Sequence, residues 1–128
     1  MNAGEQELKD YLRSYDYKVI DVSNNPKYFS SDIDLFVQNP FTNLVFSIEV
    51  KWDSKIADTG NLFIELWADY PKKIGWWKFC KADLLFYGDA QNRKFYIFKL
   101  DELRAYIDLN FYRFSTGFCV DNTTGCVS

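Results

Sequence analysis

At 128 residues, with 48% apolar and 20% aromatic side chains, the chain is long and apolar enough for one folded domain with its own core, which excludes a disordered or low-complexity protein. A net charge of -3 and a pI near 4.9 exclude a surface that is basic all round, so any grip on a polyanion has to be local. The lack of histidine removes His-ligated zinc, Ser/His/Asp triads and imidazole bases together, and three cysteines without CxxC spacing predict reduced thiols.

Residues 4–15 predict the first helix. Leu8, Tyr11, Leu12 and Tyr15 recur at i, i+3, i+4, i+7 as one apolar stripe, and Glu5 and Glu7 sit in the first turn, where the helix dipole favours anions. Residues 17–22 follow as a strand, with Asp16 at the connection. Residues 23–30 are polar and turn-rich and read as a connector, although Lys27 and Tyr28 are suited to touch a nucleic-acid backbone.

Residues 31–51 organise the rest. Leu44, Phe46, Ile48 and Val50 alternate with Val45, Ser47, Glu49 and Lys51, the period-2 pattern of a strand with one apolar face, so Glu49 and Lys51 share the other. In the preceding strand Ile33, Leu35 and Val37 take the apolar face and Asp32 and Asp34 the opposite one. Asn39, Pro40 and Asn43 supply turn chemistry. A four-residue loop 40–43 closed by Asn39 opposite Leu44 puts Asp34 across from Glu49 and Asp32 across from Lys51, with opposed Cβ atoms about 5 Å apart. Like charges directly opposed destabilise a sheet, so the arrangement makes most sense around a cation, and Mg²⁺ takes carboxylate oxygens together with substrate phosphates. Lys51 stands about 7 Å along the strand from Glu49.

Asp34, followed after fourteen residues by Glu49-Val50-Lys51 on an apolar strand, resembles the D…(D/E)xK motif of the PD-(D/E)xK nuclease superfamily, with Ile33 where the usual proline stands. The opening Glu5-Gln6-Glu7-Leu8, with Leu12 and Tyr17-Lys18-Val19, is similar to the Holliday-junction resolvase branch, with Asp16 in place of the usual glycine. The resemblance implies that Asp34 and Glu49 bind metal, that Lys51 activates water or steadies charge on phosphate, and that Glu5 adds a further carboxylate. Asp32 competes with Asp34 for the metal, since both lie on one face. The plain alternative for Glu5 is dipole complementation on an exposed turn.

Residues 52–61 read as a loop and 62–67 as a strand with Phe63 and Glu65 on one face. TGNLFIE behind an EVK strand is similar to phage and bacterial members of the superfamily in which this segment continues the sheet beside the site, which would bring Asn61 and Glu65 to substrate or metal; otherwise Glu65 is a solvated strand residue. Residues 69–81 are the most basic stretch. Lys72, Lys73, Lys78 and Lys81 interleave with Trp76, Trp77 and Phe79, a composition suited to a nucleic-acid surface, with one of the two Trp expected inside. Lys73, Trp76 and Lys78 are the candidate substrate contacts. Residues 82–87 predict a buried strand, 88–92 a turn, 95–98 its hairpin partner and 102–109 a helix capped by Asp101 with Leu103, Tyr106 and Ile107 inward; the tail has an edge strand at 118–120.

The expected fold is α/β, a single domain over 1–128 with a restriction-endonuclease-like αβββαβ core: a mixed central sheet flanked by helices. The expected function is a Mg²⁺-dependent endonuclease, with Mn²⁺ as substitute, that hydrolyses DNA phosphodiester bonds, with branched or structured DNA among the candidate substrates. A non-catalytic nucleic-acid or protein-binding module of the same fold is the alternative, and a structural phage or mobile-element protein with an aromatic oligomer interface is a third reading. No apolar leader and no membrane span are evident, so the expected place is the cytoplasm, and the resolvase resemblance implies a homodimer.

Overall fold

Helix α1 (Ala3–Ser14) buries Gly4, Glu5, Leu8, Lys9 and Leu12, a face that repeats at i, i+1, i+4 and i+5. Tyr11 and Tyr15, expected on the inner stripe, lie one position round the helix and are 61% and 59% exposed, packed edge to face on each other with ring centroids 5.1 Å apart. A computed structural model describes residues 3–53, 56–60, 62, 64–69, 73–74, 77, 80–111, 116–118 and 125–127.

After α1 the chain turns at Asp16, whose φ of 67° is the left-handed conformation that glycine adopts without steric cost. It then enters β1 (Lys18–Asp21). The expected connector contains a 3-10 helix, Pro26–Ser31, capped by Asn25, whose side chain accepts from Lys27 N at 3.1 Å. Strands β2 (Leu35–Gln38) and β3 (Val45–Asp53) form the motif hairpin. Its register is the expected one: Leu35 pairs with Ile48 and Gln38 with Val45, and Asn39 N donates to Leu44 O at 2.9 Å. The ladder stops at Leu35. Asp32 ends the 3-10 helix with φ 52°, so the strict alternation expected through residues 31–37 breaks there. Ile33 consequently packs with the opposite core from Leu35 and Val37, and Asp32 meets Lys51 from outside the ladder rather than across it.

Strand β3 pairs parallel with β6 (Leu84–Asp89), and β6 pairs antiparallel with β7 (Lys94–Lys99). The mixed sheet has the order β1-β2-β3-β6-β7. Ser47 and Asp83 clasp the start of the parallel pair: Ser47 N and Oγ donate to Asp83 Oδ2 at 2.9 and 3.2 Å, and Asp83 N donates to Ser47 Oγ at 2.9 Å. Between β3 and β6 lie α2 (Ile56–Thr59), β4 (Ile64–Asp69) and β5 (Lys73–Ile74). The segment expected to extend the main sheet does form a strand, but β4 joins a second sheet, β5-β4-β9-β8, with β8 (Thr116–Phe118) and β9 (Gly125–Val127). Residues 45–48 of β3 pair with β2 and residues 48–53 with β6, while β4 pairs with β5 and β9.

Helix α3 (Leu100–Asn110) starts directly from β7. Lys99 stands at its N-cap without a side-chain bond, and Asp101 lies inside the first turn, favoured there by the helix dipole rather than as the expected cap. Ile107 is buried as expected, whereas Tyr106 is 52% exposed. Two cores result. Leu8 and Leu12 of α1 cover Val19, Leu35, Val37, Ile48, Val50 and Phe86, while Leu100 and Ile107 of α3 join Leu85, Tyr87, Ile56, Ile64 and Trp77. Leu85 and Phe86 are neighbours on one strand, so the cores lie on opposite faces of the sheet. Each fully buried aliphatic contributes about 1.5–3 kcal/mol.

Trp52 pins the α1 face. Its ring lies so close to Gly4 and Gly88 that a Cβ would come within 2.3 Å of Trp52 Cδ2 at the first and 2.1 Å of Cε3 at the second. Glycine is required at both points of contact.

Candidate metal centre

Alternation along β3 sends Ile48 and Val50 into the α1 core and Ser47, Glu49, Lys51 and Asp53 to the other face. On that face each has a polar partner. Ser47 holds Asp83, Lys51 Nζ lies 3.1 Å from Glu49 Oε1 and 3.7 Å from Asp32 Oδ2, and Tyr87 Oη donates to Asp53 Oδ2 at 2.9 Å. Glu49 is 2% exposed, a charge-bearing side chain at the depth of a core leucine. The Asp32 and Lys51 side chains, at 25% and 29% exposed, form the solvent side of the cluster.

Asp34 is anchored differently. Its Oδ2 accepts Val50 N at 2.9 Å, so the carboxylate satisfies a β3 amide just beyond the end of the regular ladder. Burial raises its pKa, the Val50 amide opposes that, and the neighbouring Asp32 charge raises it further. Burial also pushes the Glu49 carboxyl up, to about 9, against the pull of Lys51 and with the help of Asp34 and Asp32. For Lys51 the balance tips the other way: burial lowers it, but Glu49 and Asp32 outweigh burial and raise it, so the ammonium keeps its charge. Glu5, 9% exposed on α1, is raised by burial first and then by Asp34 and Asp21. Glu5 is thus buried on its turn and not exposed as in the plain alternative.

Glu49 Oε2 and Asp32 Oδ2 are buried oxygens with no hydrogen-bond partner among the described residues. Buried acceptors are ordinarily satisfied, and an orphaned carboxylate oxygen costs on the order of 1–3 kcal/mol or more. A divalent cation supplies what these atoms lack, so the residues present fit such an ion. The ligand atoms of Asp32, Glu49 and Cys80 all lie within 4.8 Å of one another.

Comparison with protein-family models, with curated proteins and with solved structures finds no match.

Of the residues the sequence singles out, Asp32, Asp34, Glu49 and Lys51 converge, with Glu5 coupled to Asp34 from α1. Glu65 lies in β4 and Lys73 in β5, both in the second sheet. Asn61, Trp76 and Lys78 fall outside the described residues. Trp77 is buried, 7% exposed, with the Arg104 guanidinium 5.3 Å from its ring centroid. An open cleft of about 400 Å³ between α1 and the β6-β7 ribbon, lined by Leu8, Tyr11, Phe86, Arg93 and Phe95 among others, holds none of the predicted site residues.

Two features escaped the sequence reading. Lys9 is buried beside Glu5's turn and bonds Asp21 Oδ2 at 2.9 Å; burial works against the Asp21 charge, but Ser23 and Lys9 outweigh it and hold the carboxyl below its ordinary range. The i, i+4 spacing of Glu5 and Lys9 was the available signal. Cys80 reaches the acidic cluster from the crossover, 48 residues beyond Asp32 in sequence, and no local pattern announces that contact.

Proposed function

We propose that this chain is a divalent-metal-dependent phosphodiester hydrolase of PD-(D/E)xK type, acting on DNA. The observation that carries the reading is the convergence of Asp32, Glu49 and Lys51 in one partly buried cluster, two carboxylate oxygens of which lack hydrogen bonds. A mixed five-stranded sheet with α1 on one face and α3 on the other is compatible with a restriction-endonuclease-like core. In this reading Asp34, Glu49 and Asp32 hold the cation, with Glu5 behind them. Mg²⁺ is the expected ion and Mn²⁺ its substitute; when bound, it lowers the pKa of water and offsets charge on the phosphate.

The chain's own residues do the rest. Lys51, held charged by Glu49 and Asp32, presents an ammonium to the phosphate or orients the attacking water. Asp34 is fixed by the Val50 amide at 2.9 Å, which holds its carboxylate beside the cluster. Glu49, at 2% exposed, is enclosed by its neighbours. Homodimerisation belongs to the same reading.

A second reading, a binding module of the same fold, draws on one observation: Lys51 Nζ already has a partner inside the chain, Glu49 Oε1 at 3.1 Å. A panel of branched, duplex and single-stranded DNA with Mg²⁺ or Mn²⁺ separates the two. Cleavage by wild type that falls about a hundredfold or more in both Lys51→Ala and Glu49→Ala supports the hydrolase. Binding without cutting, equal in all three proteins, replaces it with the module.

A further inference from the structure

Cys80 has no part in the hydrolase reading, yet it is held in place more firmly than a core cysteine requires. Arg104 of α3 donates to the carbonyls of Trp77 and Cys80, the first at 2.8 Å. Lys81 N donates to Ser31 O at 2.8 Å, tying the crossover to the end of the 3-10 helix. The thiol itself donates to Asp32 O at 3.5 Å. Four hydrogen bonds, to α3 and to the end of the 3-10 helix, thus set Sγ against the acidic cluster.

We propose that Asp32, Glu49 and Cys80 form a binding site for a thiophilic divalent cation of the Zn²⁺ class. Their ligand atoms lie within 4.8 Å of one another. Around a tetrahedral Zn²⁺, with Zn–S about 2.3 Å and Zn–O about 2.0–2.2 Å, ligand atoms stand roughly 3.5 Å apart, so the group closes by about an ångström of side-chain movement. Independently of that spacing, Glu49 Oε2 is buried, lacks a hydrogen-bond partner and belongs to a side chain 3% exposed. Asp32 Oδ2 is a second such oxygen, on the solvent side of the cluster.

Charge and softness name the ion. Two carboxylates and a thiolate beside one Lys51 ammonium leave two negative charges, which a divalent ion cancels. Mg²⁺ takes oxygen ligands and disfavours sulfur, whereas Zn²⁺, Co²⁺ and Cd²⁺ accept thiolate and carboxylate together. Coordination replaces the S–H bond by a sulfur–metal bond, and the proton leaves to solvent. Three protein ligands leave the fourth tetrahedral position for an outside group.

The inference shares two residues with the hydrolase reading but does not rest on it, because its test reads metal and not cleavage. The full chain is titrated with Co²⁺ and with Cd²⁺ while sulfur-to-metal charge-transfer absorption is followed in the ultraviolet. The expected result is a band that saturates at one equivalent, is displaced by Zn²⁺, is lost in Cys80→Ser and persists in Cys119→Ser/Cys126→Ser. Glu49→Gln is expected to weaken binding by about tenfold or more. No band in wild type, or a band that survives Cys80→Ser, overturns the proposal and leaves Cys80 as a small buried apolar residue. Should Cys80→Ser fail to fold by circular dichroism, the Cys119→Ser/Cys126→Ser protein decides, since Cys80 is then its one thiol: a band supports the site and its loss ends it. A protein that shows the band and cuts no DNA keeps the site and loses the enzyme.

Discussion

On the α1 side of β3, Ile48 and Val50 meet the apolar side chains of Leu35, Val37, Leu8 and Phe86, with Glu5 and Lys9 also buried on α1. On the other side the same strand sends Ser47, Glu49, Lys51 and Asp53 among Cys80, Leu85 and Tyr87. Both faces are buried around residues 48–50, yet among the side chains of β3 itself only those on the second face include groups whose desolvation is unfavourable. A sheet tolerates such a face when its opposite face supplies the stability, and that division of labour can be broken from either side.

The largest effect belongs to the apolar side. Leu35 is fully buried against Ile48, so Leu35→Ala removes a packed side chain and leaves a cavity, with an expected loss of about 2–5 kcal/mol in denaturant unfolding. Cation binding at the opposite face should survive in the fraction that remains folded. A loss of less than about 1 kcal/mol would mean that the α1 core is not what stabilises the sheet. Next comes overpacking at the rim of the same core. Gly88→Ala drives a Cβ to 2.1 Å from Trp52 Cε3 and 2.9 Å from Phe95 Cε1, and forcing those rings apart is expected to cost about 1–3 kcal/mol. Because the clash is with one ring above all, Trp52→Phe in the same chain should recover part of it, a coupling that a double-mutant cycle measures. Simple additivity of the two losses would show that the Trp52 contact is not the cause.

How much of this was legible beforehand follows from the range of the interactions. The hairpin register was readable because alternation and turn chemistry are local: Asn39 closes opposite Leu44, and Leu35 falls beside Ile48. The break at Asp32 was not, since a single left-handed residue leaves no trace in hydropathy yet transfers Ile33 to the other core. Tyr11 and Tyr15 fit an apolar stripe equally well in sequence, and what displaces them is the close approach of Gly4 to Trp52, which turns another face of α1 inward. Cys80 and β4 depend on a crossover whose path is set by pairing with the C-terminal β9 and by Arg104, partners far away in the chain. Within the site, Glu49 and Lys51 were legible as a shared face. Their burial was not, because it depends on the residues that close over them from the other elements.

The pH dependence sharpens the comparison most, since it is centred on the charged side. Burial holds the Glu49 carboxyl up at about 9, against an ordinary value of 4.5. Between those two values the native protein keeps a proton that the unfolded chain has released, so stability falls as pH rises. The Glu49 contribution is fully present below 4.5 and is lost on the way to about 9. Asp34 is raised by burial too and tilts the curve the same way, whereas Asp21 on the α1 side is held low and loses its contribution only as pH falls below the ordinary 3.8. Lys51, raised above 10.5, stays charged across the window and adds no slope. Urea midpoints taken from about pH 5 to about pH 9 should therefore decline in wild type and flatten in Glu49→Gln, which has no proton to lose. A divalent cation should raise the midpoint most at the alkaline end, because it stabilises the ionised carboxylate that burial disfavours. An unchanged slope in Glu49→Gln would show that the buried charge lies elsewhere in the cluster, with Asp34 the next to test.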